Sequence, residues 1–268
     1  MAALPRISVV VTSFNQAQYL ELTLRSVIDQ NYPGLELIII DGGSSDESPD
    51  IIRKYQQHME YWCSEPDGGH PQGIIKGFAH ATGEILCFLN SDDLFEPCTL
   101  HEVGRYFAQH PGVEAVYGDA TWIDAAGSVL MPKKEIPFNR FIWLYTYNYV
   151  PGMSMFWRRT IYDRVGGVNP EYPLAFDADL WIRFSDHGRI EHVARQWSRM
   201  RYYPEQKNRR FREKSDREDM MIRARYWKNQ KKPLTYTLRR TIALSLRIFL
   251  KLVSGCYSWG YPKYLERS

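Results

Sequence analysis

The first hundred residues alternate between short apolar runs rich in β-branched side chains and longer segments whose apolar residues recur at helical spacing. The runs at 7–13, 35–41 and 84–90 have the length and composition of buried strands. The segment 18–30 places its apolar side chains on one helical face. This alternation predicts an α/β fold, in which helices flank a mainly parallel, Rossmann-like sheet.

The predicted strands all end in polar loops, and three of these loops are acidic. Their sequences are TSFN (12–15), DGGSSD (41–46), SEPDGG (64–69) and NSDD (90–93). Because ligands of parallel sheets bind at the carboxyl ends of the strands, we expect the four loops to form one site. The sequence contains no GxxxxGK[ST] or GxGxxG motif, which disfavours P-loop NTPases and Rossmann dehydrogenases.

The NSDD loop places two carboxylates side by side at the end of a buried run. A hard divalent cation such as Mn²⁺ or Mg²⁺ takes one or two carboxylates and completes its shell with phosphate oxygens and water. Asp92 and Asp93 therefore indicate a site for metal and phosphate. A pair of aspartates that caps the following helix is the alternative interpretation.

The composition is that of a globular protein, since 44% of the 268 residues are apolar and 24% are charged. A formal net charge of +3 does not indicate a nucleic-acid partner. The four cysteines have no CxxC spacing, which favours reduced thiols. Because we find no secretory signal and no run of about 20 apolar residues, we expect a cytoplasmic protein.

The segment 233–255 is amphipathic, cationic and free of acidic residues. Its apolar side chains are interleaved with Arg239, Arg240, Arg247 and Lys251. Such a helix is typical of peripheral attachment to anionic lipid, here at the inner face of the cell membrane. Packing of a terminal helix on the domain is the alternative. The sequence does not predict the oligomeric state.

Strand and helix signals become less regular after about residue 112. Aromatic side chains are concentrated in this half, at Trp143, Tyr145, Tyr147, Tyr149 and Trp157. They fit either a surface that stacks on sugar or lipid, or the core of the second half.

Three stretches of the sequence resemble inverting family 2 glycosyltransferases with the GT-A fold. They are residues 7–48, residues 64–97 and FDADLWIRF at 176–184, within a resemblance that covers roughly residues 6–205. The resemblance implies a nucleotide-sugar-binding half (1–112) and a half that binds the acceptor and carries the catalytic base (113–210). A basic helical C-terminal extension (211–268) completes the chain.

The resemblance also implies roles for residues around the donor. Asp93 matches the family's metal-binding aspartate, and Asp41 matches the aspartate that faces the base, typically uracil. Gly42 stands where many members have a second aspartate. The other matches are Thr12, Ser13, Phe14 and Asn15 around the base, Asp92 at the ribose or a metal-bound water, and Lys76 near the phosphates.

Asp177 matches the family's general base, the aspartate of an acidic pair that opens a helix before LWxR. Phe176 replaces the usual glutamate of that pair. A carboxylate there can take the proton from an acceptor hydroxyl, and its apolar neighbours predict a raised pKa. Asp179 is the alternative base, although its position also suits a charge that stabilises a helix N-terminus.

Three further residues are candidate substrate contacts. His70 lies in the DGGH loop near the presumed site. Arg201 and Tyr203 fall in a stretch that often reads RxHxxSK in the family, so Tyr203 stands where His is usual. With that His replaced, Arg201 and Lys207 are the cations that can reach phosphate.

The resemblance thus implies an inverting hexosyltransferase that uses Mn²⁺ or Mg²⁺. Its donor would be a nucleoside diphosphate sugar, typically a UDP-sugar, and its acceptor a hydroxyl of a glycan or polyprenyl-linked molecule. Two alternatives stay open. A sugar-nucleotide nucleotidylyltransferase needs a loop rich in Gly and Lys or Arg after the first strand, which TSFNQAQY lacks. A non-catalytic nucleotide-sugar-binding protein at the membrane is the second alternative.

Overall fold

The structure, a computed structural model, describes residues 3–227 and 231–256, and a single mixed sheet forms its centre. The strands are β1 (Ile7–Ser13), β2 (Leu35–Asp41), β3 (Tyr61–Ser64), β4 (Ile85–Asn90), β5 (Leu94–Phe95), β6 (Ala115–Ile123), β7 (Val129–Lys133), β8 (Met155–Arg158) and β9 (Ile190–Arg201). Their order in the sheet is β3-β2-β1-β4-β8-β6-β9-β5, and β7 pairs with β6.

Helices connect the strands and extend the chain beyond the sheet. They are α1 (Ala17–Ile28), α2 (Ser48–Tyr55), α3 (His70–His80), α4 (Thr99–Gln109), α5 (Arg140–Tyr145), α6 (Arg159–Arg164), α7 (Phe176–His187), α8 (Lys207–Arg210), α9 (Arg212–Ala224) and α10 (Tyr236–Val253). The predicted α/β fold with a C-terminal helix is therefore confirmed.

The first four strands are parallel, as the alternation of strand and helix predicts. In register, Ser13 lies opposite Asp41, Asp41 opposite Ser64, and Thr12 opposite Asn90. The four polar strand ends therefore lie along one edge of the sheet. β1, β2 and β4 are buried along nearly their whole length, which explains their continuous apolar runs.

The second half of the sheet mixes strand directions. β8 runs antiparallel to β4 and β6, whereas β9 runs parallel to β6. β9 also pairs with β5, with Leu94 opposite Arg199. This pairing brings the end of β9, at Arg201, beside the NSDD loop.

The aromatic segment of the second half mainly forms core. Trp143, Tyr149 and Trp157 are fully buried, and Tyr145 is nearly so. Tyr147 is the exception, with 43% of its surface exposed. The core interpretation of this segment is thus correct for four of its five members.

The C-terminal helix α10 packs on the domain through one face and leaves the opposite face exposed. Tyr236 and Ala243 are buried on the packed face. The opposite face carries exposed apolar side chains, at Leu238, Ile242, Phe249 and Leu252. Among the described residues, no helix has both the length and the apolarity needed to cross a bilayer. Residues 257–268 of the predicted extension lie outside the described residues.

Candidate active site

Asp93 lies at the bottom of the strand-end edge and is only 1% exposed. Its Oδ1 accepts a hydrogen bond from the backbone N–H of Arg201 (2.7 Å), and its Oδ2 accepts one from the Asn90 amide (3.1 Å). Burial, together with the neighbouring Asp92 charge, raises the pKa of Asp93 well above its usual value. Both carboxylate oxygens of Asp93 therefore have partners within the chain.

Asp92 is the more accessible member of the pair, with 8% of its surface exposed. Its Oδ2 accepts a hydrogen bond from the Tyr203 hydroxyl at 2.8 Å. Burial raises the pKa of Asp92, and the Tyr203 bond opposes that rise. The acidic pair thus presents oxygen atoms, the donor type that hard divalent cations prefer.

Asp177 lies in the first turn of α7. Its Oδ1 accepts a hydrogen bond from the backbone N–H of Ala178 (2.7 Å), and its Oδ2 accepts one from Nδ2 of Asn148 (3.1 Å). Burial raises the pKa of Asp177 to about 6, with a further contribution from the negative charge of Asp219. The pKa of Asp177 is therefore raised, as its apolar neighbours predict.

His70 connects the two groups of carboxylates. Its ring packs edge-on against Phe176, at 5.0 Å between ring centroids, and against Phe88, two residues before Asn90. Burial lowers the pKa of His70 to about 3, and the charge of Lys207 adds to this effect, so the imidazole is neutral. A hydrogen bond with the Asn90 side chain opposes the lowering of this pKa. We call the region bounded by the NSDD loop, His70 and Asp177 the reaction site.

Asp179 and Arg201 are engaged elsewhere in the fold. Asp179 is fully buried and forms ion pairs with Arg183 and Arg225, at 2.7 and 2.6 Å. The Arg201 guanidinium is also buried, and it donates to backbone carbonyls of the NSDD loop and of residues 124 and 125. These contacts indicate structural roles. Asp179 holds α7 in place, and Arg201 supports the acidic pair.

The loops after β1, β2 and β3 form a second part of the strand-end edge. Asp41 is fully buried, and its carboxylate accepts hydrogen bonds from Ser44 and Ser64. A Cβ atom on Gly42 would lie 3.4 Å from both carboxylate oxygens of Asp67 and 3.4 Å from the Phe14 ring. Asp67 and Phe14, both exposed, therefore flank the space above Gly42.

The remaining residues of the first loop shape this region. The Asn15 side chain accepts a hydrogen bond from the backbone of Ser45 (2.9 Å), which joins the loops after β1 and β2. Ser13 is buried, and its hydroxyl has no hydrogen-bond partner among the described residues. The Thr12 methyl group packs close to Gly73 of α3.

The two lysines assigned to phosphate occupy different positions. Lys76 forms an ion pair with Glu65 of the SEPDGG loop. Lys207 lies near His70, whose pKa its charge lowers. Burial lowers the pKa of Lys207 itself, with Lys214 adding repulsion. Lys207 is therefore the cation that accompanies the reaction site.

Sequence reasoning missed two residues, Asp67 and Asn148. Asp67 could have been found, because it belongs to SEPDGG, one of the four strand-end loops. Asn148 carries no local signal, since it lies among buried aromatics in a segment without regular spacing. Only the folded chain brings it to Asp177.

Sequence comparison with known proteins connects this site to an enzyme family. The family profile described as Glycosyl transferase family 2 matches residues 8–165. An uncharacterised glycosyltransferase of Mycobacterium tuberculosis is 31% identical over 185 residues, covering 68% of this chain and 70% of that protein. A PGL/p-HBAD biosynthesis glycosyltransferase of Mycobacterium bovis is 29% identical over 189 residues, again covering 68% and 70%.

Solved structures at lower identity share the fold. Residues 1–349 of S. aureus TarS, in complex with UDP, superpose with a TM-score of 0.64 at 19% identity, covering 82% of this chain and 64% of that one. The mannosyltransferase PcManGT of Pyrobaculum calidifontis, in complex with GDP-Man and Mn²⁺, gives a TM-score of 0.64 at 18% identity and covers 98% and 79%. These likenesses confirm the predicted GT-A fold.

Proposed function

The chain belongs to glycosyl transferase family 2, and from this premise we propose that it is an inverting hexosyltransferase. Its donor is a UDP-sugar, and its acceptor is a hydroxyl of a glycan or polyprenyl-linked molecule. The observation that carries the proposal is the arrangement of carboxyl groups in the reaction site. The His70 ring packs both on Phe176, the neighbour of Asp177, and on Phe88 of the strand that leads to the acidic pair, and the pKa of Asp177 is raised to about 6. Family membership also disfavours the nucleotidylyltransferase alternative.

Asp177 acts as the general base. It accepts the proton of the acceptor hydroxyl while the acceptor oxygen forms its bond to C1 of the sugar. The bond from C1 to the diphosphate oxygen breaks, and its electron pair leaves with the diphosphate. Attack opposite the leaving group inverts C1. A pKa of about 6 leaves Asp177 ionised at neutral pH and more basic than an ordinary aspartate.

The acidic pair fits a divalent cation. The described residues contain no group of three His, Cys, Asp or Glu side chains that could hold a metal alone. This agrees with a cation held by one or two carboxylates together with the phosphates of the donor. Asp93 is the proposed metal ligand, and Asp92, the more exposed of the two, is its partner at the ribose or a metal-bound water. When bound, Mn²⁺ or Mg²⁺ supplies positive charge against the departing diphosphate.

Lys207 and His70 contact the donor between these groups. Burial has lowered the pKa of Lys207, so an adjacent diphosphate is expected to favour its charged form. The neutral His70 ring packs on Phe176 beside Asp177 and suits contact with the sugar rather than with the diphosphate. The two residues thus divide recognition between diphosphate and sugar.

Phe14 and Asp67 bind the base. The Phe14 ring is 61% exposed beside Gly42 and Asp67, a position that suits stacking on a nucleobase. The Asp67 carboxylate beside it can accept a hydrogen bond from N3–H of uracil. Asp67 takes the place beside Gly42 where many family members have a second aspartate. Asp41 supports the site by ordering Ser44 and Ser64.

A donor screen tests this proposal directly. UDP-glucose, UDP-galactose, UDP-GlcNAc and GDP-mannose are incubated with the protein and Mn²⁺, Mg²⁺ or EDTA, and nucleotide release is measured. We expect one UDP-sugar to be turned over with a metal, and no turnover by Asp177→Asn. The anomeric configuration of a transferred sugar, read by NMR, should be opposite to that of the donor. Retention of configuration, or full activity of Asp177→Asn, contradicts the mechanism.

The exposed face of α10 supports attachment to an anionic membrane surface. The apolar residues of that face lie opposite the side that packs on the domain. Lys231, Lys232 and Arg240 are exposed near the start of the helix, and residues 231–256 contain no acidic residue. The sequence predicts that Arg247 and Lys251 face anionic lipid. In the structure both instead form ion pairs with Glu135. The attachment therefore relies on the apolar face and on the cations near its start.

Vesicle co-sedimentation tests the attachment without disturbing the packed face. Phe249→Ser/Leu252→Ser removes exposed apolar surface, and Leu22→Ser on α1, 51% exposed, is a matched control. We expect the double variant to lose at least about tenfold in partitioning to anionic vesicles, because each side chain contributes roughly 1.5–3 kcal/mol when buried. Unchanged partitioning argues against the membrane. A change in oligomeric state instead would assign the face to a second copy of the chain.

A further inference from the structure

The loop at residues 146–150 presses one amide side chain against the proposed base. Nδ2 of Asn148 donates to Oδ2 of Asp177 at 3.1 Å, and Oδ1 of Asn148 accepts from the backbone N–H of Val150 at 3.3 Å. Because the backbone N–H can only donate, it fixes which end of the amide is the oxygen. The NH₂ group must therefore point at Asp177, which it binds as a carboxylate.

The C-terminal helix holds this loop from its other side. The Arg247 guanidinium stacks on the rings of Tyr147 and Tyr149, at 4.8 and 5.4 Å from their centroids. These two tyrosines directly flank Asn148 in the sequence. The same guanidinium forms an ion pair with the buried Glu135 at 2.7 Å. Arg247 is thus anchored on one side and clamps the neighbours of Asn148 on the other.

Two more cations fix the ends of the loop. Lys133 donates to the backbone carbonyl of Tyr149 at 2.8 Å, and Arg223 of α9 donates to the carbonyl of Thr146. Arg223 also pairs with Asp219, the acidic residue whose charge acts on Asp177 from α9. The surroundings of Asp177 are therefore set by α9, α10 and the loop that these helices hold.

We propose that Asn148 is a positioning residue for the catalytic base, and that Arg247 of α10 sets the place of Asn148. The proposal rests on the proposed role of Asp177. Asn148 orients the Asp177 carboxylate through a hydrogen bond to Oδ2, while the backbone N–H of Ala178 binds Oδ1. Through Arg247 and Asn148, α10 helps to orient Asp177, although this helix lies outside the family resemblance.

The proposal has a measurable consequence for the proton affinity of Asp177. The hydrogen bond from Asn148 stabilises the ionised carboxylate and so opposes the rise in pKa that burial causes. Its removal should raise the pKa of Asp177 above about 6. Asn148→Asp should raise it further than Asn148→Ala, because it adds a second negative charge. Loosening the loop at Arg247 should shift the pKa in the same direction.

The carboxyl groups are titrated by NMR in protein labelled with ¹³C at aspartate Cγ, with Asp177→Asn used to assign the resonance. Asn148→Ala, Asn148→Asp, Arg247→Met and Arg247→Lys are compared with the wild type, and thermal melts show that each variant is folded. We expect the titration midpoint of Asp177 to be lowest in the wild type, higher in Asn148→Ala and highest in Asn148→Asp. In the double variant, Arg247→Met should add little to the shift of the Asp177 midpoint that Asn148→Ala causes. Both substitutions act on the same contact, the hydrogen bond from Asn148 to Asp177.

UDP release from the UDP-sugar that the donor screen selects gives the second readout. Asn148→Ala should lower kcat about tenfold or more, with the donor KM unchanged, as expected for a lost bond to a charged group. Arg247→Lys keeps the charge beside Glu135 but loses the planar stack, so it should lie between wild type and Arg247→Met. An unshifted Asp177 midpoint in Asn148→Ala overturns the proposal. If instead Asp177→Asn keeps full activity, the proposed base is wrong, whatever the midpoints show.

Discussion

The Tyr203 hydroxyl donates a hydrogen bond to Oδ2 of Asp92 at 2.8 Å, and Gln16 donates to the same hydroxyl at 3.3 Å. Burial, reinforced by the Asp92 charge, raises the pKa of Tyr203 above its usual value, so the phenol keeps its proton. The family resemblance implies a histidine at this position, and a neutral imidazole nitrogen can bind a metal. In this chain the position supplies a neutral donor to the acidic pair.

Tyr203→His should therefore tighten the binding of Mn²⁺. An imidazole nitrogen is a metal ligand at neutral pH, whereas a protonated phenol is a poor one. Mn²⁺ titration followed by electron paramagnetic resonance, in the presence of UDP, measures the affinity. Tyr203→Phe serves as the control, since it removes the hydroxyl without adding a ligand. Equal affinities for the histidine and phenylalanine variants would place the metal away from residue 203.

The two aspartates of the pair should respond differently to substitution. Asp92→Asn removes a carboxylate charge from the site, so we expect weaker Mn²⁺ binding. Because the amide oxygen can still accept the hydrogen bond from Tyr203, we expect little change in the free energy of unfolding. Asp93→Ala leaves the Arg201 N–H and the Asn90 amide without their buried acceptor, at a cost of about 2 kcal/mol. Chemical denaturation and Mn²⁺ titration of both variants separate the two effects. Equal loss of stability in both variants is the contrary outcome.

Activity should fall on the acid side with an apparent pKa near that of Asp177, about 6. Only the ionised carboxylate can accept the proton, so kcat/KM should drop tenfold for each pH unit below this value. Initial rates from pH 4.5 to 8 at saturating Mn²⁺ measure the profile. A rate that stays level down to pH 5 would falsify the assignment of Asp177 as the base.

Asp177→Asn should stabilise the protein at high pH while it removes activity. The pKa of Asp177 is raised from 3.8 to about 6 by folding, so the native state loses stability as pH rises through this range. Above it the ionised carboxyl costs about 3 kcal/mol, which the amide avoids. We expect a higher Tm for the variant at pH 8 and little difference at pH 4. Equal Tm values at both pH values would show that folding does not raise the pKa of Asp177.

Phe14→Ala should weaken UDP binding without lowering stability. Stacking of a base on an aromatic ring contributes roughly 1–3 kcal/mol, so the Kd should rise by about tenfold or more. Because Phe14 is 61% exposed, its removal leaves no cavity. Isothermal titration with UDP, with Leu22→Ala as an exposed control on α1, tests the assignment. A Kd within twofold of the wild type would place the base elsewhere.

The elements that follow from local pattern were predicted well. β1, β2 and β4 appear where apolar runs of strand length end in polar loops, and Asp177 falls in the first turn of its helix. These features depend on short-range rules of periodicity and strand polarity. They predict a mainly parallel α/β sheet, and the resemblance to family 2 glycosyltransferases implies the GT-A fold.

Side-chain partners were harder to predict, because long-range pairing decides them. Asp179 meets Arg225, which lies 46 residues further along the chain, and Asn148 meets Asp177 across 29 residues. Lys76 pairs with Glu65, a contact that depends on how α3 packs beside β3. Loops without regular spacing give no sign of which side chain will turn toward a site.

Glu135 has a consequence for how the protein is made. It is buried, and Lys133, Arg247 and Lys251 hold its pKa below the usual value although burial alone would raise it. Arg247 is translated 112 residues after Glu135. Until then, a nascent chain must either leave the Glu135 carboxylate exposed to water or bury it with part of its negative charge uncompensated. We expect residues 113–210 to reach their final form only after α10 leaves the ribosome. Ribosome-bound chains that stop before α10 should therefore be sensitive to protease and depend on chaperones.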